Sequence, residues 1–166
     1  MEKEWKIKNQ AVLDFREIAK DYHPVILRLL GNRGFKTSEE IKKFFEFDYD
    51  ADIHNPFLFP QMEQAVKRIM AAKDKKEKVA IFGDYDADGV TASALLFETL
   101  KNLGFTEVIT YIPDRQIEGY GMNQEALNFL QKEKVDLIIT VDCGITNREE
   151  VKLAKDLGID LSLIHI

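Results

Sequence analysis

The second half of the chain alternates short apolar runs with longer amphipathic segments, and this pattern restricts the fold more than any other feature of the sequence. The apolar runs have the length of buried strands, and the segments between them repeat apolar residues at helical spacing. In chain order the predicted elements are strand 79–82, helix 90–103, strand 107–112, helix 123–133, strand 137–141 and helix 147–157. Buried strands joined by helices of this length favour an α/β fold with a doubly wound parallel sheet.

The first part of the chain lacks this alternation and is expected to be helical. Apolar residues recur at helical spacing over 25–30 and 41–45, with Thr37 or Ser38 as the predicted cap of the second helix. Another helix is expected over 61–72, after prolines break the chain. We therefore predict a helical lead-in over 1–76, followed by the α/β domain.

Composition narrows the class of protein. The chain has 166 residues, 45% of them hydrophobic and 31% charged, as in soluble globular proteins. The apolar runs are too short to span a bilayer and the start lacks a signal-peptide core, so we expect a cytoplasmic protein without a membrane partner. The single cysteine, Cys143, fits a reducing compartment. A net charge of -6 argues against a surface that binds nucleic acid all over, but permits a local groove.

Three carboxylates follow the first apolar run at alternate positions: Asp84, Asp86 and Asp88, with Gly89 next. In an extended segment alternate side chains point the same way, so these charges would crowd one side of the strand end. Like charges this close stay ionised only with a cation among them. Carboxylate oxygens suit Mg²⁺ or Mn²⁺ rather than zinc or copper, and Gly89 would permit a tight turn into the next helix.

The other two strand ends carry polar segments that belong at the same edge of the sheet. Ligands of parallel α/β sheets bind beyond the carboxyl ends of the strands. Asp142 follows the third strand and is expected beside the triplet, around one or two metal ions that act in phosphoryl displacement. Arg115, after the second strand, could recognise phosphate, and Tyr120 nearby could stack on a base.

Each of these residues also has a simpler interpretation. The triplet could be a solvated acidic turn, Asp142 a helix cap and Arg115 a surface ion-pair partner. Asp-x-Asp after a strand also serves phosphatases, in which Asp84 would be a covalent nucleophile and Asp86 the acid and base. Cys143 is expected to be a small buried side chain. His23 and His54 are expected to be structural or surface residues.

Two related patterns are set aside. The triplet with Gly89 matches the first six positions of an EF-hand loop, but Leu95 stands where the bidentate glutamate is required. A calcium-binding or protein-docking module is therefore the least favoured alternative. Residues 48–52 repeat the pentapeptide Asp-Tyr-Asp-Ala-Asp, but Ile53 replaces the glycine and no buried strand precedes it, so we interpret the repeat as chance.

Three segments in order, each at a predicted strand end, resemble the motifs of the RecJ-type exonucleases of the DHH phosphoesterase superfamily. They are 83–91 (GDYDADGVT), 112–121 (IPDRQIEGYG) and 141–145 (VDCGI), and the resemblance extends over about residues 20–160. It implies metal-dependent hydrolysis of single-stranded DNA from the 5′ end in repair and recombination. It further implies a single-strand-binding protein and a RecQ-type helicase as partners, and a monomeric enzyme.

The resemblance also assigns roles to residues. Asp86, Asp88 and Asp142 would bind Mg²⁺ or Mn²⁺, with Asp84 as a further ligand or as the partner of metal-bound water. The DNA backbone would be held by the second motif, through Arg115, Glu118, Gly119, Tyr120 and Gly121. Some members have a histidine two residues before the first Asp, and that ligand is absent here because the position is Phe82. The alternatives within the superfamily are oligoribonucleases, cyclic-dinucleotide phosphodiesterases and pyrophosphatases, over which the second motif and the helical lead-in favour the exonuclease.

The last residues depart from the family pattern. Members continue with another strand and the Asp-His-His motif, whereas residues 161–166 read LSLIHI. This hexapeptide is the translation of CTG-TCT-CTT-ATA-CAC-ATC, which resembles the transposon end used as a sequencing-library adapter. We therefore expect 77–160 to be the first part of the DHH domain and 161–166 a non-native tail whose His165 is not a ligand. Lacking the Asp-His-His motif, this chain is expected to be an inactive fragment of an active parent enzyme.

Overall fold

The computed structural model describes residues 4, 6 and 20–163, which fall into two compact units, Met1–Asn55 and Pro56–Ile166. The described part of the first unit contains helices α1 (Pro24–Asn32), α2 (Ser38–Phe45) and α3 (Tyr49–Asp52). Leu27, Leu30 and Ile41 form its small core. The helical character predicted for this region is therefore confirmed for the described residues.

The start of α2 follows the sequence signal closely. The Thr37 hydroxyl accepts a hydrogen bond from the Glu40 amide at 3.1 Å, and the Glu40 carboxylate accepts one from the Thr37 amide at 3.2 Å. This reciprocal capping box satisfies two amides that a helix start would otherwise leave unpaired. Of the two predicted caps, Thr37 is the one that the structure uses.

The second unit alternates helices and strands after a 3₁₀ turn at Pro56–Leu58. Its elements are α4 (Met62–Lys75), β1 (Val79–Phe82), α5 (Ala87–Asn102), β2 (Val108–Tyr111), α6 (Gln124–Lys132), β3 (Leu137–Thr140), α7 (Arg148–Asp156) and β4 (Asp160–Leu163). The four strands form a parallel sheet in the order β2-β1-β3-β4. The predicted doubly wound α/β fold is confirmed.

Helices cover both faces of the sheet. Buried residues of α6 and α7 pack against Ala80, Phe82 and Ile138 on one face. Residues of α4 and α5 pack against the alternate strand positions, including Ile81 and Ile139, on the other face. Every residue of β1 and β3 is buried, which explains why these strands read as continuous apolar runs rather than alternating ones.

The register brings three strand ends together. Phe82, the last residue of β1, pairs with Tyr111 of β2 and with Thr140 of β3. The loops that follow these strands therefore leave the sheet at one edge, as the sequence predicted.

Two features lie outside the sequence prediction. Helix α4 continues to Lys75 and belongs to the second unit, where Ala72 packs against β-strand residues. Strand β4 includes residues 161–163, while residues 164–166, with His165, lie outside the described part of the chain. Parallel pairing with β3 uses backbone groups that any extended segment offers, so the predicted division into 1–76, 77–160 and a tail at 161–166 stays a prediction.

No helix among the described residues is long and apolar enough to cross a bilayer.

An ion-pair cluster lies at the edge of the sheet where the strands begin. The Arg68 Nε of α4 donates to the Asp160 carboxylate of β4 at 2.6 Å, and its Nη1 lies 2.7 Å from the Glu77 carboxylate that precedes β1. Burial opposes the charge of Arg68, but the hydrogen bond that it donates to Asp160 and its ion pair with Glu77 outweigh burial and raise the pKa of the guanidinium. Arg68 therefore connects helix α4 to the starts of strands β1 and β4.

Replacing Arg68 is expected to lower the stability of the chain. Arg68→Met keeps much of the apolar stem but removes the hydrogen bond to Asp160 and the ion pair with Glu77, which should cost about 1–2 kcal/mol in this partly exposed setting. Lys67→Met is the matched control, because among the described residues Lys67 pairs with exposed Glu63 one turn away, and its loss should change stability by less than about 0.5 kcal/mol. Urea unfolding of both variants measures the difference, and equal midpoints would contradict the proposed role of Arg68.

Candidate metal centre

Helix α5 begins in direct backbone contact with the end of β1. A Cβ atom on Gly89 would lie 2.5 Å from the carbonyl oxygen of Asp84, a distance that real side chains do not reach. A Cβ atom on Gly83 would overlap the hydroxyl of Ser93 in the second turn of the helix. Glycine is required at both positions by this close approach, which places the first turn of α5 against the strand end.

Asp86 caps the helix that this approach positions. Its Oδ1 accepts hydrogen bonds from the amides of Asp88 and Gly89, both at 3.0 Å. Asp84, one residue beyond the β1–Gly83 segment, is 5% exposed and accepts a hydrogen bond from the Tyr85 amide at 2.7 Å. Both carboxylates are therefore oriented by backbone amides of the same loop.

Asp142 joins these two carboxylates from the end of β3. Carboxylate oxygens of Asp84, Asp86 and Asp142 all lie within 4.8 Å of one another. Burial, followed by the negative charges of Asp86, Asp88 and Asp84, raises the pKa of Asp142. Among the described residues no lysine or arginine forms an ion pair with any of the three. Three converging hard oxygen donors without a protein counter-ion suit a divalent cation such as Mg²⁺ or Mn²⁺.

Asp88 does not belong to this group of three, although the sequence placed it there. The alternation that aligns side chains holds only in extended backbone, and α5 already begins at Ala87. Asp88 is exposed on the first helical turn, with its charge still close enough to affect Asp142. A metal-ligand role for Asp88 stays a prediction.

The exclusion of an EF-hand is confirmed. A strand precedes the acidic loop, and Leu95 lies within α5 with 71% of its surface exposed. The repeated pentapeptide likewise serves local structure, because Asp48 caps α3 by accepting from the amides of Asp50 and Ala51. Asp52 lies 3.6 Å from Lys43 in an ion pair.

Arg115 contacts the acidic loop through Tyr85, the residue between Asp84 and Asp86. Its guanidinium lies over the ring of Tyr85, 5.3 Å from the centroid. A cation above an aromatic face is attracted to it and keeps its N–H donors free to point outward. Tyr85 was not predicted to be a site residue, since its one signal in the sequence is its position between two aspartates, three residues after the end of a strand.

Glu118 organises the loop that carries Arg115. Its Oε2 accepts from the Tyr111 hydroxyl at 2.6 Å and from Asn123 Nδ2 at 3.1 Å, and its Oε1 accepts from the Asp114 amide at 2.8 Å. Burial would raise the pKa of Glu118, but the hydrogen bonds from Tyr111, Asp114 and Asn123 lower it overall. Burial, followed by the hydrogen bond with Glu118, raises the pKa of Tyr111 to about 12. Glu118 thus joins the end of β2 to the cap of α6, and its predicted contact with DNA stays a prediction.

The other predicted substrate-binding residues of this loop are Gly119, Tyr120 and Gly121. Gly119 and Gly121 have φ angles of 79° and 83°, which favour glycine. The hydroxyl of Tyr120 donates to the carbonyl oxygen of Asp142 at 3.1 Å, although 60% of the Tyr120 side chain is exposed.

Cys143, His23 and His54 have the buried, structural or surface positions expected of them. Cys143 is 3% exposed and its Sγ donates to the Phe82 carbonyl at 3.7 Å. Burial, with the nearby charges of Asp84 and Asp142, raises the pKa of Cys143 to about 12, which disfavours the thiolate form. His23 caps α1 through Nδ1, and His54 is exposed.

Comparison with known proteins points to one family. The profile described as "DHH family, N-terminal domain" matches residues 78–165. The single-stranded-DNA-specific exonuclease RecJ of Bacillus subtilis is 40% identical over 159 residues, which are 95% of this chain and 20% of that protein. A crystal structure of exonuclease RecJ bound to manganese superposes with a TM-score of 0.57 at 36% identity, covering 61% of this chain and 26% of the other. RecJ from Thermus thermophilus in complex with Mn²⁺ gives 0.51 at 31% identity, covering 61% and 14%.

Glu118 generates a prediction about stability and pH. Its pKa is lower in the folded chain, so its stabilising contribution is fully present above the ordinary value of 4.5 and is lost as pH falls through the folded value. Glu118→Gln should therefore be less stable than the wild type by about 1 kcal/mol at neutral pH, and the gap should shrink in acid. Urea unfolding over this pH range measures it. Glu107→Gln, at an exposed position, is the control, and a gap that stays constant with pH would contradict the assignment.

Proposed function

Because this chain belongs to the DHH family, we propose that Asp84, Asp86 and Asp142 form the metal-binding part of an active site that hydrolyses phosphodiester bonds in single-stranded DNA. The observation that carries the proposal is the convergence of three carboxylates within 4.8 Å at the carboxyl edge of a parallel sheet. That edge is where α/β folds bind ligands. The chain spans a fifth of the length of the Bacillus subtilis relative, so the activity of a whole enzyme is part of the proposal.

The donor set supports Mn²⁺ or Mg²⁺ as the cofactor. All donors are hard carboxylate oxygens, and among the described residues this group contains neither thiolate nor imidazole. The solved RecJ structures contain manganese. A divalent cation bound there supplies Lewis-acid activation of a phosphoryl oxygen and of water.

The chain's own residues divide the remaining work. Asp86 holds the start of α5 and presents a carboxylate to the site at the same time. Arg115, presented on the face of Tyr85, is exposed and suited to bind a DNA phosphate through its planar fork of donors. Glu118 keeps the loop of Arg115 ordered, and Gly119 and Gly121 give that loop its left-handed turns.

The finer features of the proposal follow the relatives. We propose degradation from the 5′ end, release of nucleotides in DNA repair and recombination, and action by a monomer in the cytoplasm. A single-strand-binding protein and a RecQ-type helicase would supply and hold the strand. The support for the substrate is that the relatives are named as exonucleases specific for single-stranded DNA.

Metal binding by the 166-residue chain tests the site directly. Asp86→Asn should weaken Mn²⁺ binding by on the order of 10-fold or more, since even the outer partners of metal ligands contribute that much. Asparagine caps helices as well as aspartate does, so the fold should be kept. Titration calorimetry with MnCl₂ measures the affinity, and circular dichroism confirms that the variant is folded.

Asp88→Asn is the matched control for this titration. Asp88 is two residues from Asp86 and lies outside the group of three carboxylates, and the substitution removes one negative charge, as Asp86→Asn does. It should therefore weaken Mn²⁺ binding less than Asp86→Asn does. A wild-type chain that binds no Mn²⁺, or an Asp86→Asn chain that binds it like the wild type, would contradict the proposed site.

A chimera tests the activity. The 159 matched residues of the Bacillus subtilis relative are replaced by those of this chain, and the chimera is incubated with Mn²⁺ and end-labelled DNA. We expect degradation of single strands from the 5′ end, no degradation of blunt duplex, and no activity in the same chimera with Asp86→Ala. A chimera that is folded by circular dichroism and binds single-stranded DNA but leaves it intact would refute the proposal.

A further inference from the structure

We infer that the Tyr120 hydroxyl is a positioning group for Asp142, and that Tyr120, Gly121 and Asn147 form a clasp between loops 112–123 and 141–147. The clasp would hold the backbone of Asp142 in the conformation that brings its carboxylate to Asp84 and Asp86. This inference rests on the proposed metal site and gives Tyr120 a task other than stacking on a base.

The first contact of the clasp crosses from one loop to the other. The Tyr120 hydroxyl donates to the Asp142 carbonyl oxygen at 3.1 Å, across 22 positions of sequence. The rest of the Tyr120 side chain is largely exposed, so burial of the ring does not account for its placement. The hydroxyl is the part of this side chain that reaches the metal-site loop.

The residue at the other end of this hydrogen bond has an unusual backbone. Asp142 has a φ of 59°, a left-handed conformation that is unfavourable for a non-glycine residue. A hydrogen bond to its carbonyl oxygen fixes the orientation of the following peptide group and favours this conformer over extended or right-handed ones. If the backbone of Asp142 returned to those regions, the direction of its Cβ would change and the carboxylate would leave Asp84 and Asp86.

The second contact of the clasp involves the next two residues of the loop, Gly121 and Met122. The Asn147 Nδ2 donates to the Met122 carbonyl oxygen at 3.1 Å. Gly121 has a φ of 83°, and a Cβ atom there would lie 2.8 Å from the Asn147 Oδ1. A side chain at position 121 would therefore have to displace the Asn147 carboxamide from its contact with the Met122 carbonyl.

The clasp connects the two chemical parts of the site. Loop 112–123 carries Arg115, and loop 141–147 carries Asp142. Two independent contacts between the loops keep the phosphate-binding group and the metal-binding carboxylate at a fixed separation, which displacement at phosphorus requires of groups that act together.

Tyr120→Phe tests the hydroxyl alone, because it keeps the ring. In the full chain we expect its Mn²⁺ affinity to fall about 3- to 10-fold, the effect of losing one ordinary hydrogen bond that favours the binding conformer. Tyr49→Phe, which removes a hydroxyl from an exposed ring in the first unit, should leave the affinity unchanged. A folded Tyr120→Phe chain that binds Mn²⁺ like the wild type would overturn the inference, as would an equal loss in Tyr49→Phe.

A pair of glycine variants tests the close approach. Gly121→Ala and Gly158→Ala add a methyl group at similar φ angles of 83° and 77°, but only the first meets a neighbouring side chain. Backbone strain is therefore matched, and only Gly121→Ala should weaken Mn²⁺ binding. Equal affinities of the two folded variants would contradict the second contact of the clasp.

Hydrogen exchange separates failure of the clasp from failure of the metal site. In the metal-free chain, amides of residues 142–147 should exchange several-fold faster in Tyr120→Phe and Gly121→Ala than in the wild type, and should not change in Tyr49→Phe or Gly158→Ala. Absence of Mn²⁺ binding by the wild type would refute the proposed function, whereas unchanged exchange in both loop variants would refute the clasp.

Discussion

The backbone contact between Gly89 and Asp84 is the constraint on which the metal centre depends. With no side chain between them, the first turn of α5 lies directly against the end of β1. Asp86 can then cap the helix and still lie within 4.8 Å of Asp84 and Asp142. Any larger residue at position 89 would push the helix away from the strand and separate carboxylates that a single cation must contact together.

The fold and the meeting of the three strand ends were predictable because both follow from simple rules. Continuous apolar runs indicate strands buried on both faces, and parallel strands place their carboxyl ends at one edge. The position of Asp142 beside Asp84 follows from these rules without any knowledge of side-chain contacts. The position of Asp88 did not follow, because it depends on the residue at which extended backbone gives way to helix, and sequence patterns locate that boundary only to within a few residues.

The repeated pentapeptide shows why a short stretch of sequence was insufficient to predict the positions of its aspartates. In 48–52 the first aspartate caps a short helix, whereas in 84–88 the second one does so and the first is buried. The five residues are identical, and the difference lies in what flanks them, a buried strand before Asp84 and a glycine after Asp88. Specific side-chain contacts, such as Glu118 with Tyr111 at the end of β2 and Tyr120 with Asp142 in a separate loop, have no periodic signal and required the structure.

Among the described residues, acidic side chains are paired with basic ones where the strands begin, but not in the carboxylate group where the strands end. Where the strands begin, Arg68 neutralises Glu77 and Asp160, and Lys78 pairs with Glu133. Where they end, three carboxylates converge, and the nearby guanidinium of Arg115 contacts an aromatic ring.

The raised pKa of Asp142 means that the folded chain holds the proton of this carboxyl group more tightly than the unfolded chain does. Keeping Asp142 ionised at neutral pH therefore costs folding free energy, and a bound cation would offset that cost. A lysine or arginine paired with the carboxylates would stabilise the apo chain but would compete with the cation, so the unpaired charge is a property that a metal centre requires.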